Sequence, residues 1–447
     1  MAGSNSDVRV AVVGFHGRGG EHISALSKID GARITALCDA DSDVLAGGRK
    51  KVGEVGGYTD IRKLLEDKNV DALSIATPNH WHALGTIWAI QAGKDVYVEK
   101  PVSHNVSEGR RVVEFARKYD KIVQTGTQSR SSIEGIKAAV EWVKAGNIGK
   151  IKLARGLCYK PRGSIGKVTG PQPIPANIDY DLWCGPALKL PLMRKKLHYD
   201  WHWVWNTGCG DLGNQGIHEM DVARWFLGVM ELSPRILAVG GRLGYVDDGE
   251  TPNTMIIYHD YPDAPLIYEV RGLPSKTGST KMDKYKGAEI GIVIECEGGH
   301  VTVPSYAAAT AYDKEGNVLK QFKGSENHHE NWLKAVRNRK KETLNADILE
   351  GHLSSALCHT GNLSYRLGAT KSPAEIKEAI TDKGLSEAFG RMSEHLAAND
   401  VNIENDKLTL GVPLKMDPKT ERFLGNDKAN ELLTRPYRAP YIVPEKA

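Results

Sequence analysis

Apolar and polar positions follow two different patterns along this chain. Residues 8–13 (Val-Arg-Val-Ala-Val-Val) are a short, β-branched, nearly continuous apolar run. That is the pattern of a parallel strand covered on both faces. Similar runs recur at 33–38, 72–76, 96–98 and 122–124. Stretches with helical spacing separate them: from the first glycines to about Lys28, after residue 38, at 60–67, at 81–92 before Gly93, and at 107–119. Strands alternating with helices predict βαβ units and a doubly wound parallel sheet. This first domain is assigned to residues 1–128.

Beyond it the pattern changes. Residues 151–159 read as a strand, followed by a long Gly/Pro-bearing segment, 160–206. Such a segment in a compact protein is usually a functional loop region. After a helix near 216–227, strand-like runs come close together at 235–244, 254–260, 265–271, 289–296, 299–303, 308–312 and 317–322. Tight turns such as Glu297-Gly298-Gly299 and Lys314-Glu315-Gly316-Asn317 separate several of them. They predict a large, mostly antiparallel open sheet. Helical patterns at 329–339, 347–368, 373–382 and 384–397 complete a second α/β domain, 129–447, whose tail after Asn399 reads as extended.

Composition narrows the function classes. The formal net charge of +4 over 447 residues, with no long basic tract, argues against nucleic acid as the partner. No apolar run reaches the ~18–20 residues of a membrane helix, so no membrane partner is expected. No signal peptide precedes Val8, which predicts a cytoplasmic protein, or a periplasmic one if an export signal precedes this sequence. The six cysteines (38, 158, 184, 209, 296, 358) are scattered without C-x-x-C spacing, and read as buried thiols. His328 and His329 precede a helix, where capping or solvation explains them. His352 and His359 are two turns apart, too far for joint ligation. No metal is expected.

Three motifs carry the chemistry. The turn Gly14-Phe15-His16-Gly17-Arg18-Gly19 follows a strand and opens a helix, the context of a dinucleotide-binding turn. Gly14 permits the tight turn, Gly17 and Gly19 permit close approach and packing, and the helix N-terminus offers free N–H groups to a pyrophosphate. His16 stands where the usual spacing has a second glycine. Asp39 ends the second strand about 20 residues later, placed to accept the ribose hydroxyls. Asp41 follows and no arginine does, which favours NAD over NADP.

Glu99-Lys100-Pro101 sits at the carboxyl end of a parallel strand, where such sheets bind ligands. Lys100 can stabilise developing negative charge on a substrate oxygen or relay a proton. In Asn214-Gln215-Gly216-Ile217-His218, His218 suits the general base that removes a carbinol proton near neutral pH.

These stretches, with Thr77-Pro78-Asn79-His80-Trp81-His82, the run Ala92 to Pro101 (A-G-K-x-V-x-V-E-K-P) and Gly216 to Asp221, resemble the Gfo/Idh/MocA family of sugar-type oxidoreductases. The likeness spans almost the whole chain. It implies an N-terminal Rossmann domain, an open C-terminal sheet whose outer face associates into a homo-oligomer, and an NAD-dependent enzyme acting on a sugar, glycoside or polyol. It places the loop of Thr77, Pro78, Asn79 and His82, and Lys100, against the cofactor; Glu99 beside Lys100, and Gln128 after the last parallel strand, are expected to join them. Some relatives are instead NAD-requiring glycoside hydrolases that oxidise the sugar transiently, eliminate, add water and reduce again.

One departure stands out. Many family dehydrogenases carry an aspartate four residues before the histidine, and here that position is Asn214. On one helix, i and i+4 share a face, so Asn214 is expected to touch substrate without taking a proton. Further substrate candidates are Arg130, Tyr159 and the aromatic segment Trp201-His202-Trp203. Its indoles can stack on sugar rings or pin the long loop to the body; both roles stay open.

Overall fold

The five apolar runs of the first domain become strands β1 (Val8–Val13), β2 (Ala32–Cys38), β4 (Ala72–Ile75), β5 (Asp95–Val98) and β6 (Val123–Thr125), joined by the unforeseen β3 (Gly56–Tyr58). They form one parallel sheet in the order β3-β2-β1-β4-β5-β6. Chain order reverses beside β1 and β4, which opens the crevice above their carboxyl ends. This is a computed structural model, and it describes residues 7–405 and 408–447.

The second sheet takes β7 (Ile151–Tyr159), β8 (Arg235–Gly241), β9 (Thr254–His259), β10 (Leu266–Arg271), β11 (Ile290–Cys296), β12 (Gly299–Val303), β13 (Ala308–Asp313), β14 (Val318–Lys323), β15 (Ala369–Lys371) and β16 (Leu408–Leu410). Their order is β14-β13-β12-β11-β7-β10-β9-β8-β16-β15. Only β7 and β10 pair in parallel along it. The helices Gly216–Leu227 and Ile348–Arg366 cover one face, burying Met220, Phe226, Leu353 and Leu357 against Ile257, Tyr268 and Ile292.

Three features go beyond what the sequence pattern showed. The tail after Asn399 is not merely extended: β16 and Leu414–Asp417 both add to the edge at β8. The opposite face of the sheet is not open at its centre. Leu153, Val239, Ile256 and Ile267 lie under Ile376, Leu385, Phe389 and Met392, from the helices Pro373–Ala379 and Lys383–Ala398. Lastly, segments far beyond residue 128 also pack on the first domain. The helix His328–Asn338 returns to it and packs Trp332, Leu333 and Val336 against Val8, Val10 and Val12. Tyr441 and Val443 pack on its other core with Ile75, Trp81 and Ile87.

Among the described residues, no helix is long and apolar enough to cross a membrane. All six cysteines are free and buried.

Candidate active site

A cavity of about 740 Å³ runs from the glycine turn to the helix Gly216–Leu227. Its nucleotide end is built by backbone. Gly14 turns with φ +74°, and a Cβ there would stand 2.7 Å from Thr77 Cα. Gly19 does not line the cavity; it lets the helix Arg18–Leu26 pack on the turn, since its Cβ would stand 2.1 Å from the Gly14 carbonyl oxygen. Gly17 faces open space. Phe15, His16 and Arg18 complete this wall.

Asp39 accepts from the Phe15 N–H at 2.9 Å and the Asp41 N–H at 3.0 Å. Burial pushes its carboxyl up, against those two hydrogen bonds. A half-buried carboxylate with spare lone pairs fits a neutral diol and rejects a phosphate. Beyond it, Thr77 Oγ1 and Asn79 Oδ1 are buried without a hydrogen-bond partner, and both residues line the cavity with Pro78. Unpaired buried polar atoms are costly. Spare groups in a cleft of this length, above a parallel-sheet crossover, fit a dinucleotide.

Glu99 is nearly inaccessible. Its Oε1 lies 3.0 Å from both Arg18 Nε and His22 Nε2 and 3.5 Å from Gln128 Nε2. Burial raises its carboxyl, but His22, Arg18 and Lys100 together hold it well below the usual range. It is a buried anion fixing the loop before Lys100. Nothing in the sequence signalled His22, which bonds Ser74 Oγ at 2.9 Å through its other nitrogen. His82 lines the cavity between two carbonyls, Pro101 at 2.5 Å from Nδ1 and Thr77 at 2.7 Å from Nε2, and its single N–H donates to one of them. It rivets two loops together and has no nitrogen free for a ligand.

Lys100 Nζ donates to the Asn214 carbonyl at 2.7 Å and contacts Asn214 Oδ1 at 3.3 Å. An ammonium has three donors, so one remains for the cavity. Burial pulls its pKa down, with Glu99 opposing and Arg18 assisting. His218 lines the same cavity, its Nδ1 buried and unpartnered. Burial, then the Lys100 charge, lower it to about 3, so the imidazole is neutral at ordinary pH. Asn214 and His218 do not share a helix face. Asn214 ends the short helix Gly210–Asn214, the helix is interrupted at Gln215, and His218 lies in the first turn of the next helix.

The substrate end adds residues that sequence reasoning missed. Tyr306, from the β12–β13 connection, tilts over His218 at 4.8 Å between centroids. Its hydroxyl accepts from Gln215 Nε2 at 3.2 Å, and the same nitrogen donates to Glu219 Oε1 at 2.9 Å. Burial raises Glu219 to about 8. Lys160 also reaches the cavity. Tyr306 is some 88 positions from His218 in sequence; no local motif could have shown it.

Trp201 and His202 stack at 3.6 Å and line the cavity. His202 Nδ1 bonds the Tyr199 carbonyl at 2.5 Å, which leaves Nε2 as an acceptor toward the cleft. Three expected residues lie elsewhere. Trp203 is buried behind the wall, its ring under the Arg162 guanidinium at 5.0 Å. Arg130 is buried between Asp221 (2.8 Å) and Glu350 (3.0 Å), because such a charge out of water needs anionic partners. Tyr159 ends β7 on the far face of the sheet, donating to Glu269 at 2.7 Å. His328 and His329 are buried rather than solvated, and Asn327 supplies the cap.

The segment 160–206 crosses the cleft as a strap. Asn177 Nδ2 donates to Asp41 at 2.7 Å, the Ser42 N–H to the Asn177 carbonyl at 2.9 Å, and Trp81 Nε1 to the Leu182 carbonyl at 3.0 Å. Gly185, at φ +47°, leaves room for the Trp81 ring, 2.2 Å from where its Cβ would stand.

A nucleotide cradle and a lysine–histidine pair in one crevice define the class: a Rossmann-type oxidoreductase fold with a substrate domain. Residues 8–127 match the family described as oxidoreductase family, NAD-binding Rossmann fold, and residues 138–265 match its C-terminal alpha/beta domain. The chain belongs to the Gfo/Idh/MocA oxidoreductase family, whose N-terminal domain binds NAD.

A myo-inositol 2-dehydrogenase of Thermotoga maritima is 32% identical over 173 residues, 39% of this chain and 48% of that protein. A glycosyl hydrolase family 109 protein of Shewanella sp. (strain ANA-3) is 39% identical over 111 residues, 23% of this chain and 24% of that one. The chain thus matches about half or less of the length of these relatives. The crystal structure of the WlbA dehydrogenase from Bordetella pertussis, in complex with NADH and UDP-GlcNAcA, shares the fold. It superposes with a TM-score of 0.59 at 20% identity, covering 79% of this chain and 94% of that one.

Proposed function

We propose that this protein is an NAD-dependent oxidoreductase that transfers a hydride between nicotinamide and a hydroxyl-bearing carbon of a sugar, glycoside or polyol. The observation that carries this reading is the meeting of Lys100 and His218 in the cavity that begins at the glycine turn. The dinucleotide supplies the hydride acceptor when bound. Gly14, Phe15, Gly17 and Arg18 would cradle its phosphates, Asp39 would accept from its ribose, and the Thr77–Asn79 loop and Gln128 would flank it.

Neutral His218 takes the proton from the carbinol O–H. The Lys100 ammonium, aimed by Asn214, donates to the same oxygen and stabilises the charge that develops there. Trp201 offers a stacking face to the ring, and His202 Nε2 accepts a further hydroxyl. Purified protein with NAD and a panel of sugars and polyols is expected to produce NADH. No NADH from any member, and no dinucleotide released on denaturation, would sink the reading.

A second reading is an NAD-requiring glycoside hydrolase with no net redox change. Two observations favour it: the strap that restricts the cleft, and Asn214 in place of a proton-accepting carboxylate. It predicts cleavage of nitrophenyl glycosides without NADH accumulation. Association into a homo-oligomer through the C-terminal sheet belongs with both readings.

A further inference from the structure

We propose that His16, Asp41 and His198 form a transition-metal site, of the kind filled by Zn²⁺, that ties the strap to the glycine turn at the rim of the cleft. This goes beyond the reading above and does not depend on it. The three residues come from the first β–α turn, the cap of the helix Ser42–Val52, and the strap. One ligand atom from each lies within 4.8 Å of the others.

Three potential ligands from three separate segments converge at this rim. His16 replaces the glycine usual at its place in the turn and stands exposed. Its ring stacks on that of His198 at 4.2 Å, 10° from parallel. The two oxygens of Asp41 are divided in duty. Oδ1 is saturated by the Asp43 N–H (3.0 Å), the Val44 N–H (3.1 Å) and Asn177 Nδ2 (2.7 Å). Oδ2 meets only His198 Nε2, at 3.3 Å, among the described residues. The cap and strap contacts thus hold the carboxylate with one oxygen turned toward two imidazoles.

Two imidazoles and one carboxylate are a donor set that Zn²⁺ and its neighbours accept, with a fourth position left for water. Tetrahedral bonds of about 2.1 Å put donor atoms about 3.4 Å apart. From within 4.8 Å this needs one imidazole to turn out of the parallel stack, so that both nitrogens face one ion. Sequence spacing could not reveal the set, because its members are separated by 25 and 157 positions.

The test is calorimetric titration of ZnCl₂ into tag-free, nucleotide-stripped, EDTA-treated full-length protein. One Zn²⁺ per chain is expected. His198→Ala and His16→Ala each weaken it by roughly tenfold or more, as does Asp41→Asn, which keeps the capping oxygen and removes the charge. Co²⁺ bound to the wild type should show the visible bands of four-coordinate cobalt, absent from His198→Ala. His198 is only partly buried and its removal spares the core, and a thermal melt without metal checks that each variant is folded. The proposal is overturned by absence of Zn²⁺ binding, or by equal binding in wild type and His198→Ala.

Discussion

The two walls of the cleft are built on different physical plans. The nucleotide wall works mainly with backbone: a tight glycine turn, a helix N-terminus and one carboxylate already committed to two N–H groups. The substrate wall works with titratable side chains moved from their usual pKa values, Lys100, His202 and His218, with Glu219 buried behind Gln215. The first plan recognises a fixed shape and tolerates little change in geometry. The second sets protonation states, and burial is its main lever. Histidine shows the contrast best. His82 is wedged between two carbonyls and is structural. His218 and His202 each keep a nitrogen without a partner.

Substitutions can break or sharpen this contrast. The largest effect is expected at the pair itself. Lys100→Ala and His218→Ala should each lower kcat by about 10²–10⁴-fold, while nucleotide content, measured after denaturation, stays near wild type. Equal losses of bound nucleotide would instead assign these side chains to the first wall. Arg130→Met comes next. It strips Asp221 of its nearest cation, a loss worth about 3–5 kcal/mol of stability for a buried pair. Denaturant unfolding should register it while KM remains unchanged, whereas a raised KM would return Arg130 to the substrate.

Smaller effects lie in the pH profile. His218 is depressed to about 3 by burial and the Lys100 charge, so it stays unprotonated as pH falls through 6.5. The acid limb of kcat/KM should therefore lie well below the range of an ordinary histidine. A limb centred near 6.5 would remove His218 from the role of base. On the alkaline side, activity should fall at a pH lower than that of a free lysine, because burial lowers Lys100. The smallest expected change is that of Asn214→Asp. A carboxylate beside Nζ favours the ammonium, so the alkaline limb should move to higher pH. A limb that does not move would show that another group governs it.

Elements with strong periodicity were legible from sequence, such as β1, β7 and the helix Gly216–Leu227, because local apolar spacing decides them. The three-residue β3 and the strands of the tail were not, since their pairing comes from distant edges. Gly14, Asp39 and Lys100 were legible because strand ends place them. Arg130 and Tyr159 misled for a physical reason: each follows or ends a strand near the crevice, but its direction is decided by a buried partner, Asp221 or Glu269. Trp203 misled because adjacent aromatic residues need not face the same side.

The return of His328–Asn338 to the first sheet has a consequence for how the chain is made. A ribosome emits Val8, Val10 and Val12 some three hundred residues before Trp332, the residue that shields them. Until then that flank of the nascent sheet is uncovered and in need of a chaperone or a transient substitute. Cutting the gene after codon 128 would leave the same flank bare for good. An isolated nucleotide half should therefore be sticky and short-lived, unless the missing helix is grafted back on.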